Sequence, residues 1–245
     1  MKTLPTLVLL LWVPSVVQAS APTPPHRSTY KPALILSWKD RLHLANESLQ
    51  HQEWKKGRDI ASSVLREMRD RIASGEASGD LLAVALLFRS IGAAGLNEEA
   101  NAAWDFGVAQ SLYPAYERVD LKPYGPVNDV LGSYRYTNGL PPHPVATKTP
   151  EPSITVQPPK PLRRVRAEYP LAKRASCVQQ AIAVGTVIDE TGHTSLPFLP
   201  APTDPVLALA AFDAAREWLF EPATLDSKPV AVKFLLTVDF KIRGC

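Results

Sequence analysis

The chain has 245 residues, 45% of them hydrophobic and 21% charged, with a formal net charge of +3. That is enough chain for one or two domains with a sizeable core, and the composition is ordinary for a folded protein. So small a net charge gives no electrostatic basis for a nucleic-acid partner, and the short basic cluster Arg163-Arg164-Val165-Arg166 reads as a solvated flank.

Residues 1–19 have the build of a secretory signal. Lys2 leads an apolar stretch over 4–17, and Val17-Gln18-Ala19 puts small residues where a signal peptidase reads. The stretch is shorter than the roughly 20 apolar residues a spanning helix needs. Export with cleavage is therefore the expectation, and an uncleaved membrane anchor is the alternative. Residues 20–32, rich in proline and small polar side chains, are expected to be disordered.

Over 33–139 the pattern is helical. Leu36, Leu42, Leu44 and Ala45 recur on one helical face, and Ile60, Ala61, Val64, Leu65, Met68 and Ile72 form a second stripe at i, i+3, i+4. Residues 75–79 break the run. Residues 81–91 are strongly apolar, 92–95 turn the chain, and Asn97-Glu98-Glu99 opens a further helix with Asn97 as the expected N-cap. Gly95, Ala100, Trp104 and Gly107, and more weakly Gly57 and Ala61, resemble the small-large-small positions of tetratricopeptide-type hairpins. Their separation exceeds the usual period of about 34 residues, so an irregular four-helix domain is an equal reading. Residues 115–139 show no clean periodicity and are expected to pack irregularly on the helices.

Prolines 141, 142, 150, 152, 158, 159 and 161 make 140–162 a semi-rigid, polyproline-like linker. The remaining residues, 163–245, read as a separate two-layer unit. Tyr169-Pro170 opens a short helix over 169–175. Val178, Ile182, Val184 and Ile188 alternate along a first strand, and Asp189-Glu190-Thr191-Gly192 is a turn whose glycine takes a positive φ. Residues 194–199 form a short edge strand, because Pro197 cannot sit inside a sheet. Asp204-Pro205 starts a helix whose apolar surface includes Leu207, Ala210, Ala211, Phe212, Ala214, Ala215 and Trp218, with Glu221-Pro222 as its expected end. Val230, Val232, Phe234, Leu236, Val238, Phe240 and Ile242 then occupy every second position of a long final strand. The fold class is α+β, with a small antiparallel sheet backed by helices.

Tyr169-Pro170, the 188–192 turn, Trp218-Leu219-Phe220-Glu221-Pro222-Ala223 and Lys228-Pro229-Val230 stand in an order and spacing that resemble the C-terminal domain of TonB. The proline-rich spacer before them adds to the likeness, which covers 161–242. Gln179-Gln180, Ser227 and Leu219 depart from the family pattern. Residues 1–19 also lack the membrane histidine through which TonB couples to its motor. The resemblance implies a three-stranded antiparallel sheet ordered second-first-third and a periplasmic location. It also implies strand addition along the last strand, with no bond chemistry.

On that likeness Tyr169, Pro170, Val230, Val232, Lys233, Phe234, Thr237, Asp239 and Lys241 are the expected partner-binding residues. The expected partners are extended protein segments, such as those of outer-membrane receptors or other envelope proteins. Membrane contact is indirect unless the leader is retained. Covering of the edge by the linker or by a second copy, giving a homodimer, is the competing reading.

The only two cysteines, Cys177 and Cys245, lie in a chain expected to leave the reducing cytosol, so they are either disulfide-bonded or buried and unpaired. The implied strand order sets the start of the first strand beside the end of the last, which suits a Cys177–Cys245 bridge.

No cofactor, metal or catalytic residue is expected. His26, His43, His51, His143 and His193 are scattered without metal-ligand spacing, and neither a phosphate loop nor a nucleophile elbow is present. Two other functions stay open: a membrane-anchored TonB-like energy transducer, and an envelope hydrolase with a site assembled from distant residues.

Overall fold

The computed structural model describes residues 36–71, 79–142, 156–170, 173, 177 and 179–241. Expectations for 1–35, for most of the 169–175 helix and for Cys245 lie outside the described residues.

Two helical hairpins come first: α1 (Trp38–Gln50) with α2 (Trp54–Arg71), and α3 (Gly79–Gly95) with α4 (Glu99–Leu112). A capping box sets the start of α1: the Ser37 hydroxyl accepts from the Asp40 N–H, and the Asp40 carboxylate accepts from the Ser37 N–H, both at 3.2 Å. Small residues stand where the helices touch. Gly57 faces Leu49 and Ala45, and Gly95 lies against the Trp54 ring with no room for a β-carbon. Asn97 does not cap α4. It turns the chain at φ +60°, where the N–H groups of Asn97 and Glu98 close the last carbonyls of α3 on Ala94 and Ala93. An asparagine between two helices suits either role, and here the C-terminal one wins.

Short 3-10 turns at Pro114–Arg118 and Lys122–Tyr124 lead into α5 (Val127–Gly132). They bury Leu121, Tyr124, Val127, Leu131 and Tyr136 against the helices.

The strand-bearing part has β1 (Val156–Gln157), β2 (Lys160–Arg163), β3 (Gln180–Ile188), β4 (Thr194–Phe198), α6 (Pro205–Arg216), β5 (Leu219–Glu221), β6 (Ala223–Leu225), β7 (Lys228–Val230) and β8 (Val232–Phe240). The main sheet is antiparallel in the order β4-β3-β8, and β3 and β8 pair without a break from Gln180↔Phe240 to Ile188↔Val232. The fold is α+β. Among the described residues no helix is long and apolar enough to cross a membrane.

Three expectations need correction. The last helix does not run to Pro222: it stops at Arg216, where the Glu217 N–H turns back onto Ala214 and Ala215. Leu219–Glu221 is strand, and Trp218 sits in the turn between them. Part of the expected linker is also strand, β2 pairing with β5 and β1 with β6. Polyproline-like and extended β backbones differ little, so a partner strand converts one into the other. Finally, the long closing strand breaks at Ala231, and Val230 belongs to β7, which pairs with β6.

Asp204 caps α6 as its sequence demands, its carboxylate accepting from the Val206 and Leu207 N–H groups, with Pro205 following. One side of α6 packs on the sheet, where Ile182, Val184, Leu236, Val238 and Phe240 are buried. The rest meets the helices: Asp213 takes a two-point bond from Arg69 of α2, and Arg216 bonds Asn101 and lies over Trp104 of α4. A single apolar cluster therefore runs from Leu42 in α1 to Phe240 in β8. Gly192, at φ +85°, docks the β3–β4 turn on β5, with its carbonyl accepting from the Phe220 N–H at 2.9 Å. A β-carbon there would fall on the Phe220 carbonyl.

One ion pair inside the helical layer is nearly dry. Arg89 donates to Asp105 at 2.6 Å through both Nε and Nη2, with side-chain exposures of 23% and 4%. Asp105→Ala strands the arginine and should cost about 3 kcal/mol by urea denaturation, as breaking a buried pair does. A cost below about 1 kcal/mol would mean that solvent already screens the pair.

Burial raises the Tyr124, Tyr134 and Tyr136 phenols above their ordinary value of 10, and that of Tyr116 to about 12. The unfolded chain then loses these protons first. Stability should hold below pH 10 and fall from there toward pH 12. Tyrosinate absorbance followed alongside unfolding would check this, and full ionisation near pH 10 with the fold intact would contradict it.

Candidate functional site

The two edges of the main sheet are treated differently. On the outer side of β4, the Pro197 carbonyl accepts from the Tyr136 hydroxyl at 2.6 Å and from the Ser111 hydroxyl at 3.2 Å. Gln110 of α4 holds Tyr136 in place by accepting from its backbone N–H at 2.8 Å. Pro197 itself has no N–H to offer. A positive φ at Leu196 and a register shift opposite Gly185 and Val187 distort this strand further. This edge is closed.

β8 is the other edge. Its backbone pairs with β3, and among the described residues no backbone hydrogen bond reaches its outer side. On an antiparallel edge every second residue turns its N–H and C=O outward. Beside this edge lies a cleft of ≈ 690 Å³. Its lining takes in five consecutive residues, 237–241, together with Tyr169 and the segment 164–167 opposite. Consecutive residues point to an edge, because a sheet face would contribute alternate ones.

The opposite wall is fixed by contacts to Trp218. The indole Nε1 donates to the Val165 carbonyl at 2.8 Å, and the Arg164 guanidinium lies 5.4 Å over the ring. Arg163 anchors the start of the segment by donating twice to the Glu217 carbonyl, at 2.8 and 3.1 Å. At the far end, the Tyr169 ring meets Phe240 edge-on at 6.1 Å, and its hydroxyl donates to the Lys173 carbonyl.

The structure thus brings Tyr169, Thr237, Asp239 and Lys241 around one cleft, with Thr237, Asp239 and Lys241 exposed. The other expected residues stand elsewhere. Val230 pairs with Ala223 in a different sheet. Val232 and Phe234 are half-buried against the core, Phe234 packing on Phe220 at 5.9 Å. Lys233 is half-buried and donates to the Pro141 carbonyl at 3.0 Å, and desolvation lowers its pKa below the ordinary lysine value. Pro170 lines a smaller neighbouring cleft of ≈ 360 Å³. Cys177 is disulfide-bonded, while its expected partner Cys245 lies outside the described residues.

Sequence reasoning missed Arg164, Arg166 and Trp218 as members of the site. The basic cluster was visible, but its position opposite β8 was not. Trp218 reads equally well as the last turn of a helix. Among the described residues no three His, Cys, Asp or Glu side chains gather as a metal site. No family model matches the chain, and no curated protein matches it.

Trp218→Phe keeps an aromatic side chain and removes the indole bond to Val165. Losing one such bond costs about 1 kcal/mol, roughly a fivefold rise in local opening of the wall. Trypsin cleavage after Arg164 and Arg166 should accelerate by about that factor. An unchanged rate would show that the indole bond does not hold the segment.

Proposed function

We propose that the chain is an exported binding module that grips extended segments of other polypeptides by strand addition to β8. One observation carries this reading: the outer side of β8 has no backbone partner among the described residues and faces a walled cleft. Such an edge gains affinity from backbone hydrogen bonds that depend little on the visitor's sequence.

The resemblance to the TonB C-terminal domain supports the same reading. Its implied strand order is the β4-β3-β8 order, and its Tyr-Pro element lines the two clefts. Export through the leader would place the module in the periplasm, with outer-membrane receptors or other envelope proteins as its partners. The helical hairpins act as a rigid backing, since α6 shares its burial between them and the sheet.

Edge binding can be tested through the ligand's backbone. Eight-residue peptides selected from a displayed library against the intact protein should protect the 237–241 amides from hydrogen exchange. Methylating the amide nitrogens on one edge of such a peptide removes two or more bonds and should weaken binding tenfold or more, at about 1 kcal/mol each. Methylation of the opposite edge should be tolerated. Selected peptides that leave 237–241 unprotected, or that bind regardless of methylation, would refute the proposal.

A further inference from the structure

The cleft beside β8 carries more positive than negative charge. Arg164, Arg166 and Lys241 line it against a single carboxylate, Asp239, and all four are exposed. Among the described residues no ion pair neutralises any of the four. Arg163 is engaged by the Glu217 carbonyl and does not contribute. Glu168 and Glu217 line the neighbouring cleft, together with the Arg69–Asp213 pair.

Resting on the strand-addition reading, we propose that this edge selects extended polypeptide segments bearing carboxylate side chains, with Arg164, Arg166 and Lys241 as their cationic contacts. Backbone pairing supplies affinity but little selectivity, so the choice of partner falls to the side chains along the cleft. The 237–241 edge spans about 17 Å at 3.4 Å per residue. A visiting strand puts alternate side chains on the same face of the sheet, and carboxylates two residues apart would lie about 7 Å from each other. That spacing lets more than one acidic group meet this group of cations. Arg164 is held over Trp218, so its charge is positioned before the partner arrives. The excess of positive charge also accelerates encounter with an acidic segment at low salt.

Three eight-residue peptides test the selection. They share apolar residues at alternate positions and carry Asp, Asn or Lys at the others. Fluorescence anisotropy reads their binding to the intact protein. Each exposed pair contributes modestly, so the Asp peptide should bind about fivefold to tenfold tighter than the Asn peptide, with the Lys peptide weakest. The gap should close as salt rises toward about 1 M, where the Debye length falls to roughly 3 Å. Arg166→Glu combined with Lys241→Glu should invert the order. The milder Arg164→Gln with Arg166→Gln should erase most of the preference, and the Arg166→Glu, Lys241→Glu variant should keep the wild-type melting midpoint.

Equal affinity of the Asp and Asn peptides for the wild type overturns charge selection and leaves strand addition standing. Failure of all three to bind overturns both. A preference that survives in both variants overturns the assignment to these residues.

Discussion

The Pro197 carbonyl, held by the hydroxyls of Tyr136 and Ser111, ties one edge of the main sheet to the helical part. A three-stranded sheet has two edges, and each displays a row of unpaired backbone groups. Here the helical part reaches over one of them. Tyr136 is buried with its hydroxyl aimed at the strand, and Gln110 fixes the loop that carries it. The proline and the bulge in β4 make that edge a poor template even without the cover. Closing it leaves β8 as the side with pairing capacity, and the cleft lies there.

The same helical layer stiffens the open side. α6 has Val206, Leu207, Ala208, Leu209, Ala211, Phe212, Ala214 and Ala215 buried, too many for a helix that covers a sheet on one side only. Its second contact is with α2 and α4, through Arg69, Asn101 and Trp104. The sheet, α6 and the hairpins consequently share one core. β8 is held in place by nine register pairs with β3 and by the burial of Leu236, Val238 and Phe240 beneath it.

Much of this was legible because the signals are local. The period-two run in β8, the Asp204-Pro205 start of α6 and the Gly192 turn each depend on residues within a few positions of one another. What escaped depends on distant partners. Lys160–Arg163 reads as a proline-rich spacer until Leu219–Glu221, nearly sixty residues later, supplies its second strand. The helix before Trp218 appeared longer because an aromatic residue one turn past Ala214 fits an apolar stripe, although the indole actually turns to Val165. Lys233 reads from the sequence as a partner-binding residue, yet it donates to the Pro141 carbonyl at the other end of the supposed linker. For the same reason the basic cluster at 163–166 could be seen as a motif without being placed at a site.

An exposed strand edge carries a cost, because any other chain can add to it. Proteins blunt such edges with charges, short length or a cover, and β8 uses the first of these sparingly. Lys233 is turned to Pro141, which leaves Asp239 and, just past the strand, Lys241 as the charges on its open stretch, with Leu235, 60% exposed, ahead of them. β4, by contrast, is blunted by a proline, a bulge and two hydroxyl donors at once. The asymmetry is physical: one fold suppresses pairing at one edge by several means and tolerates it at the other. Residues 164–167 and Tyr169 line the cleft beside this open stretch.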